Sequence, residues 1–256
     1  MFWYGGELIN SGQIKLALNE PGLCYGATAF TTMRVYDHSL EAPLTCWQAH
    51  CDRLKLTIQA FNWRQPNWQK LKRGAEILLK HFPVLRIAVF PNGKEWIAGR
   101  SLPPELKQRQ IEGITAWIAK EPMYRRELAE YKTGNYLSAY LAREQALNLN
   151  AQEAILIDAQ GNWLETSTGN LWGWKDGCWY TPCLNSGILP GIARSRWLTF
   201  LQENQIEVSE NVWTPEFSQT LTALAYSNCV VNLVPITTVD NSKERVHYSR
   251  KLPLNF

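Results

Sequence analysis

The stretch Tyr131-Lys132-Thr133-Gly134-Asn135-Tyr136-Leu137 sets a lysine between two tyrosines where an irregular segment gives way to a helix. Upstream, Pro122–Glu130 has no clean period. Downstream, Leu137, Leu141, Ala142 and Ala146 recur at helical spacing. A lysine at such a junction is a solvated surface charge far more often than a reactive amine. The rest of the chain has to supply a reason to read Lys132 otherwise.

The chain has 256 residues, enough for one large or two small domains with a substantial core. A net charge of +3, with no basic stripe interleaved with aromatics, is too small to imply nucleic acid, and no nucleic acid partner is expected. No apolar run is long enough to span a bilayer, so no membrane partner is expected. Met1–Gly6 lacks the charged and apolar regions of a signal peptide. The six cysteines form no C-x-x-C pair and no metal-type spacing with the four histidines. They read as reduced thiols in a cytoplasmic protein without a metal. Twelve tryptophans are scattered, with Trp3, Trp96, Trp172 and Trp179 in strand-like contexts, and read as packing residues.

The predicted elements make a mixed α/β chain. Residues 1–18 predict a hairpin: an aromatic strand, a Gly5-Gly6 turn, then Gln13–Leu18. Gly22–Val35 begins glycine-rich and ends as strand. Thr45–Phe61 predicts an amphipathic helix with Thr45 as N-cap, and Asn67–His81 a second helix. Val84–Phe90 and Glu95–Ala98 predict a strand pair about Pro91-Asn92-Gly93. Pro103–Gln110 reads as an exposed linker. Ile114–Ile118, Glu153–Asp158, Trp163–Thr166, Leu171–Trp174, Cys178–Thr181, Thr220–Tyr226 and Val230–Val234 read as strands, with a helix after Gly191. The polar, proline-containing tail Ser242–Phe256 is expected to close the fold. Domains are expected over 1–112 and, larger and carrying Lys132, over 113–256.

Three features ask for one ligand. Gly191-Ile192-Ala193, opening the Arg194 helix, offers backbone N–H groups to a phosphate, and Arg53 offers a cation. Glu165, closing an apolar strand, offers the carboxylate that a protonated pyridine nitrogen needs. With the amine of Lys132 for an aldehyde, these are the groups that pyridoxal 5'-phosphate requires. Each also has a plain reading: a helix-opening turn, a surface helix charge, an edge-strand charge.

The order and spacing of the segments resemble the class IV, fold-type IV pyridoxal phosphate enzymes over nearly the whole chain. The resemblance rests on Tyr25-Gly26 with Phe30-Thr31-Thr32-Met33-Arg34, on His50-Cys51-Asp52-Arg53-Leu54, and on Tyr131–Leu137. It continues through Glu153-Ala154 with Asp158, Leu164-Glu165-Thr166 with Asn170-Leu171, Leu189–Arg194, and Ser227-Asn228-Cys229 with Val234-Pro235-Ile236. It implies a two-domain α/β (α+β mixed) fold with the cofactor between the domains, and a homodimer. It implies Lys132 as the Schiff-base lysine and proton shuttle, and Glu165 as partner of the pyridine nitrogen. Arg53 and the backbone at Gly191, Ile192 and Ala193 would hold the phosphate, with Ser227, Asn228 and Cys229 closing that pocket.

Within the family the sequence is most similar to aminodeoxychorismate lyases, which release 4-aminobenzoate and pyruvate for folate synthesis. Thr31-Thr32 stands where branched-chain aminotransferases tend to carry Glu-Gly. The lysine loop is one residue shorter than theirs, and Ala193 and Cys229 replace threonines. Pro91-Asn92-Gly93-Lys94 stands where D-amino acid aminotransferases carry an arginine and a histidine. The resemblance makes Thr32 a second catalytic residue and places Tyr25, Phe30, Arg34 and Arg100 at the small-molecule substrate, with Lys94 a further candidate for its carboxylates. A branched-chain or D-amino acid aminotransferase is the alternative. A non-catalytic binding or scaffolding protein is the alternative from another class.

Overall fold

The computed structural model describes residues 1–241 and 244–253. Part of the tail expected to close the fold, Ser242 and 254–256 included, lies outside the described residues. The chain divides into two compact units. The first comprises Met1–Pro104 and Tyr131–Asn135, and the second Glu105–Glu130 and Tyr136–Phe256. The boundary thus falls at Pro104, and the Lys132 segment groups with the first unit.

In the first unit β1 (Phe2–Tyr4) turns through Gly5-Gly6 into β2 (Glu7–Ile9). Residues 13–18, expected as the return strand, form none; the return is complete by Ile9. Then follow α1 (Pro21–Cys24), β3 (Ala29–Arg34), α2 (Trp47–Ala60), α3 (Trp68–Leu78), β4 (Val84–Val89) and β5 (Glu95–Arg100). The strands make an antiparallel sheet in the order β2-β1-β5-β4-β3. Alternation sends Met33, Leu85, Ile87 and Ile97 into a core with Leu54 and Ile58 of α2 and Leu71 and Leu78 of α3. Phe30, Thr32, Arg34 and Arg86 take the other face.

Helix α3 begins where expected, because the Asn67 side chain accepts the Lys70 N–H. Thr45 is not an N-cap. Its hydroxyl donates to Ser39 O and accepts from Tyr36 N, which ties the preceding loop, and Cys46 in the left-handed region precedes α2.

The second unit opens with α4 (Leu106–Glu112), where a linker was expected. Buried Leu106, the Arg109–Glu105 pair one turn apart, and the Gln110 bond to Val231 O explain the helix. After it come β6 (Ile114–Ala119), α5 (Leu137–Asn148), β7 (Glu153–Ile157), β8 (Trp163–Thr166), β9 (Asn170–Lys175) and β10 (Cys178–Pro182). The chain continues through α6 (Ile192–Glu203), β11 (Val208–Asn211), α7 (Pro215–Gln219), β12 (Ala223–Asn228), β13 (Asn232–Asp240) and β14 (Arg245–His247). The sheet runs β11-β10-β9-β12-β13-β6-β7-β8, with β14 on β13. Strand β8 also pairs with β9 through Glu165 and Asn170, so β9-β12-β13-β6-β7-β8 closes on itself. Ser227 and Asn228, expected between strands, are the last residues of β12. No helix among the described residues is long and apolar enough to cross a membrane.

Candidate functional site

In the first unit the lysine segment lies along β3. Phe30 N–H donates to Lys132 O at 2.8 Å, Gly134 N–H donates to Thr28 O at 2.7 Å, and Thr133 bridges Ala29. The two backbones meet at glycines. Gly26 has φ +65°, and a Cβ on Gly134 would stand 2.4 Å from Gly26 O. Half-buried Lys132 is thereby fixed by main chain, with Nζ 4.8 Å from the centroid of the Phe30 ring.

The same face of β3 carries half-buried Thr32, whose cross-strand partner is Arg86. The Arg86 guanidinium lies 3.7 Å from the centre of the Phe30 ring. Arg34 and Arg100 both pair with Val84, so they share this face one row away. Phe30, Thr32 and Arg34 thus share one face of β3, with Lys132 Nζ against Phe30, Arg86 opposite Thr32, and the Arg34 guanidinium 4.8 Å from the centre of the Tyr36 ring. Arg86 was legible as the lone charge in the apolar run Val84–Val89. Tyr25 is not drawn in: it ends α1 with 81% of its surface exposed.

The opposite face of β3 meets α2. Thr31 there accepts a hydrogen bond from Arg53 Nη2 at 2.5 Å, and its hydroxyl lies 2.5 Å from His50 Nδ1. Neighbouring Cys51 is buried, and burial pushes its thiol up to about 11, so it stays protonated at neutral pH.

In the second unit Glu165 is 4% exposed. It is ion-paired with Arg126 and accepts the Leu189 N–H at 3.3 Å. Arg126 also lies 4.4 Å from the centre of the Tyr136 ring. Sequence gave no signal for Arg126, which sits in the stretch without a period. Gly191 precedes α6 with no side-chain cap, and Ile192 and Ala193 in the first turn are buried. Their N–H groups have no partner within the helix, and the helix dipole is positive at this end. Only glycine fits at 191, since a Cβ would stand 2.0 Å from Asn170 Oδ1.

Asn228 turns its side chain to its own loop. Its Oδ1 accepts from Val230 N and Val231 N, and its Nδ2 donates to Thr168 O. Ser227 is fully buried and accepts from Trp172 Nε1, so its hydroxyl serves packing. Cys229 is half-buried at the turn that follows β12. Glu153, an acid opening an apolar strand, accepts from Ser167 at 2.5 Å and Thr168 at 2.6 Å. Burial raises its carboxyl pKa, against the pull of those bonds and of Arg143.

An amine against an aromatic ring, a cation held on a helix, a buried carboxylate and an uncapped helix terminus are the donor chemistries that pyridoxal phosphate requires, so the residues present fit that cofactor. The profile of amino-transferase class IV matches residues 28–239. The chain belongs to that family, whose members depend on pyridoxal phosphate. Among relatives, it is 25% identical to the branched-chain-amino-acid aminotransferase of Escherichia coli K12, across 93% of this chain and 84% of the relative. It is 26% identical to a D-alanine aminotransferase of Staphylococcus epidermidis, across 92% and 87%. A crystal structure of a candidate 4-amino-4-deoxychorismate lyase superimposes with a TM-score of 0.75 and 28% identity, covering 90% of this chain and 92% of that one.

Proposed function

We propose that this enzyme is a 4-amino-4-deoxychorismate lyase, converting its substrate to 4-aminobenzoate and pyruvate. One observation carries the reading: the face of the first sheet turned away from its core pairs Thr32 with Arg86, with Arg34 and Arg100 in the adjacent row. Guanidinium groups suit a substrate with two carboxylates.

In this reading Lys132 is the attachment lysine, and Glu165 keeps the pyridine nitrogen protonated. Arg53 and the N–H groups at Gly191, Ile192 and Ala193 hold the phosphate, with Asn228 and Cys229 beside it. Bound pyridoxal phosphate supplies an electron sink for the substrate's amine-bearing carbon. Lys132 Nζ takes the proton from that carbon. The enolpyruvyl C–O bond then breaks and the ring becomes aromatic. Lys132 Nζ or the Thr32 hydroxyl returns a proton to the departing enolpyruvate, so the two products sum to the substrate. Phe30, Arg34 and Arg100 contact the substrate, and Arg86 extends that set. The reading includes a cytoplasmic homodimer, for which sedimentation of the holoenzyme as a two-chain particle is the expected result.

The test is a coupled assay for 4-aminobenzoate beside a panel of amino acid donors. Release of 4-aminobenzoate supports the lyase; cofactor-loaded protein that releases none sinks it. The aminotransferase reading draws support from the relatives' names. It requires an amino acid donor to convert the bound cofactor to its amine form.

A further inference from the structure

We propose that Thr31 and His50 are positioning residues for Arg53, through a directed hydrogen-bond chain from Arg53 to Thr31 to His50. The inference rests on the reading that Arg53 holds the cofactor phosphate. It names two side chains that do not touch the phosphate but set where the guanidinium points.

The geometry comes from two elements of one unit. Helix α2 places His50 and Arg53 three residues apart, on one face. Strand β3 turns Thr31 toward that face, away from Thr32. Thr31 is 0% and His50 1% exposed, so water does not satisfy their polar atoms.

Hydrogen-bond inventory then gives the chain its direction. A guanidinium only donates, so Thr31 Oγ1 accepts from Arg53 Nη2. The Thr31 hydroxyl proton needs an acceptor, and His50 Nδ1 at 2.5 Å is the partner among the described residues. Two donors converging on Thr31 would strand a buried hydroxyl proton, which folded proteins avoid. His50 Nδ1 is therefore unprotonated, and the ring proton is on Nε2. A threonine methyl and a buried imidazole allow Thr31 few rotamers, so the acceptor offered to Arg53 is fixed.

The test uses the full chain, freed of cofactor and titrated with pyridoxal phosphate and, separately, with pyridoxal. Binding is followed by tryptophan fluorescence. Thr31→Val keeps the shape and removes the hydroxyl. It should weaken pyridoxal phosphate on the order of tenfold, the scale of one hydrogen bond to a charged group. Binding of pyridoxal, which has no phosphate, should not change. Thr31→Ser should restore most of the loss, which separates positioning from failed folding. Nitrogen-15 histidine spectra should show unprotonated Nδ1 and protonated Nε2 at His50, a pattern altered in Thr31→Val. Arg53→Ala is the control. If it discriminates against pyridoxal like the parent chain, the phosphate reading fails and the inference with it. If Arg53→Ala loses that discrimination while Thr31→Val keeps it, or if His50 carries its proton on Nδ1, the inference alone is overturned.

Discussion

The two units hold these charged side chains by different means. In the first, Lys132 is set by main-chain bonds to β3, and Arg53 by a hydroxyl backed by an imidazole. The Lys72–Glu41 ion pair of that unit lies at the surface. In the second, buried Glu165 is matched by buried Arg126, and buried Arg194 by Glu210. A neutral support, main chain or hydroxyl, fixes where a side chain lies by hydrogen-bond geometry. An ionic support makes burial tolerable but ties each partner to the other.

That contrast can be broken at four places. The largest effect should come from Lys132→Ala, with turnover falling by roughly 10³-fold or more. Borohydride should then trap no pyridoxyl label on the protein; a labelled variant would mean that another lysine is attached. Next is Arg126→Met, which strands a buried carboxylate and should cost about 3–5 kcal/mol in urea unfolding. Adding Glu165→Gln should recover much of that loss; a double variant losing the sum of the two single losses would show that the pair is not coupled. Gly134→Ala pushes a methyl against Gly26 O and Thr28 Oγ1 and should cost about 1–3 kcal/mol. A neutral result would mean that the lysine segment does not depend on this contact.

The smallest effect concerns Glu153, whose carboxyl is raised above its ordinary 4.5 by burial. The folded chain keeps a proton that the unfolded chain releases. This contribution to stability is full below the ordinary value and is lost as pH rises through the raised one. Glu153→Gln should flatten the fall of unfolding free energy between acid and neutral pH, and an unchanged slope would remove Glu153 as its source.

Much of this was legible in the sequence where a local rule governs. Asn67 caps its helix, and β4 and β5 turn about Pro91-Asn92-Gly93, because capping and turn chemistry act over three or four residues. The lysine junction was visible as a change of period. Local rules misled where a distant partner competed. Thr45 looked like a cap, but its hydroxyl was claimed by Tyr36 and Ser39. Pro103–Gln110 looked like linker until Leu106 found a core. Arg126 and Glu165 are 39 residues apart, and nothing local predicts that one guanidinium of an aperiodic stretch will pair with that strand end. The grouping of Tyr131–Asn135 with the first unit is likewise a long-range event.

The docking of that segment bears on how the chain matures. Strand β3 ends the order of its sheet, so its outer N–H and C=O groups form an edge, the usual template for unwanted pairing. Residues 131–135 cover part of it, at Phe30 N and Thr28 O. They follow β3 by about a hundred residues, a loop closure that local structure cannot accelerate. During synthesis the first sheet emerges with this edge bare, and the segment that brings the lysine also covers it. A fragment ending at Pro104 would keep Arg53 and Thr31 yet lack both the amine and the cover, leaving it prone to pair with copies of itself.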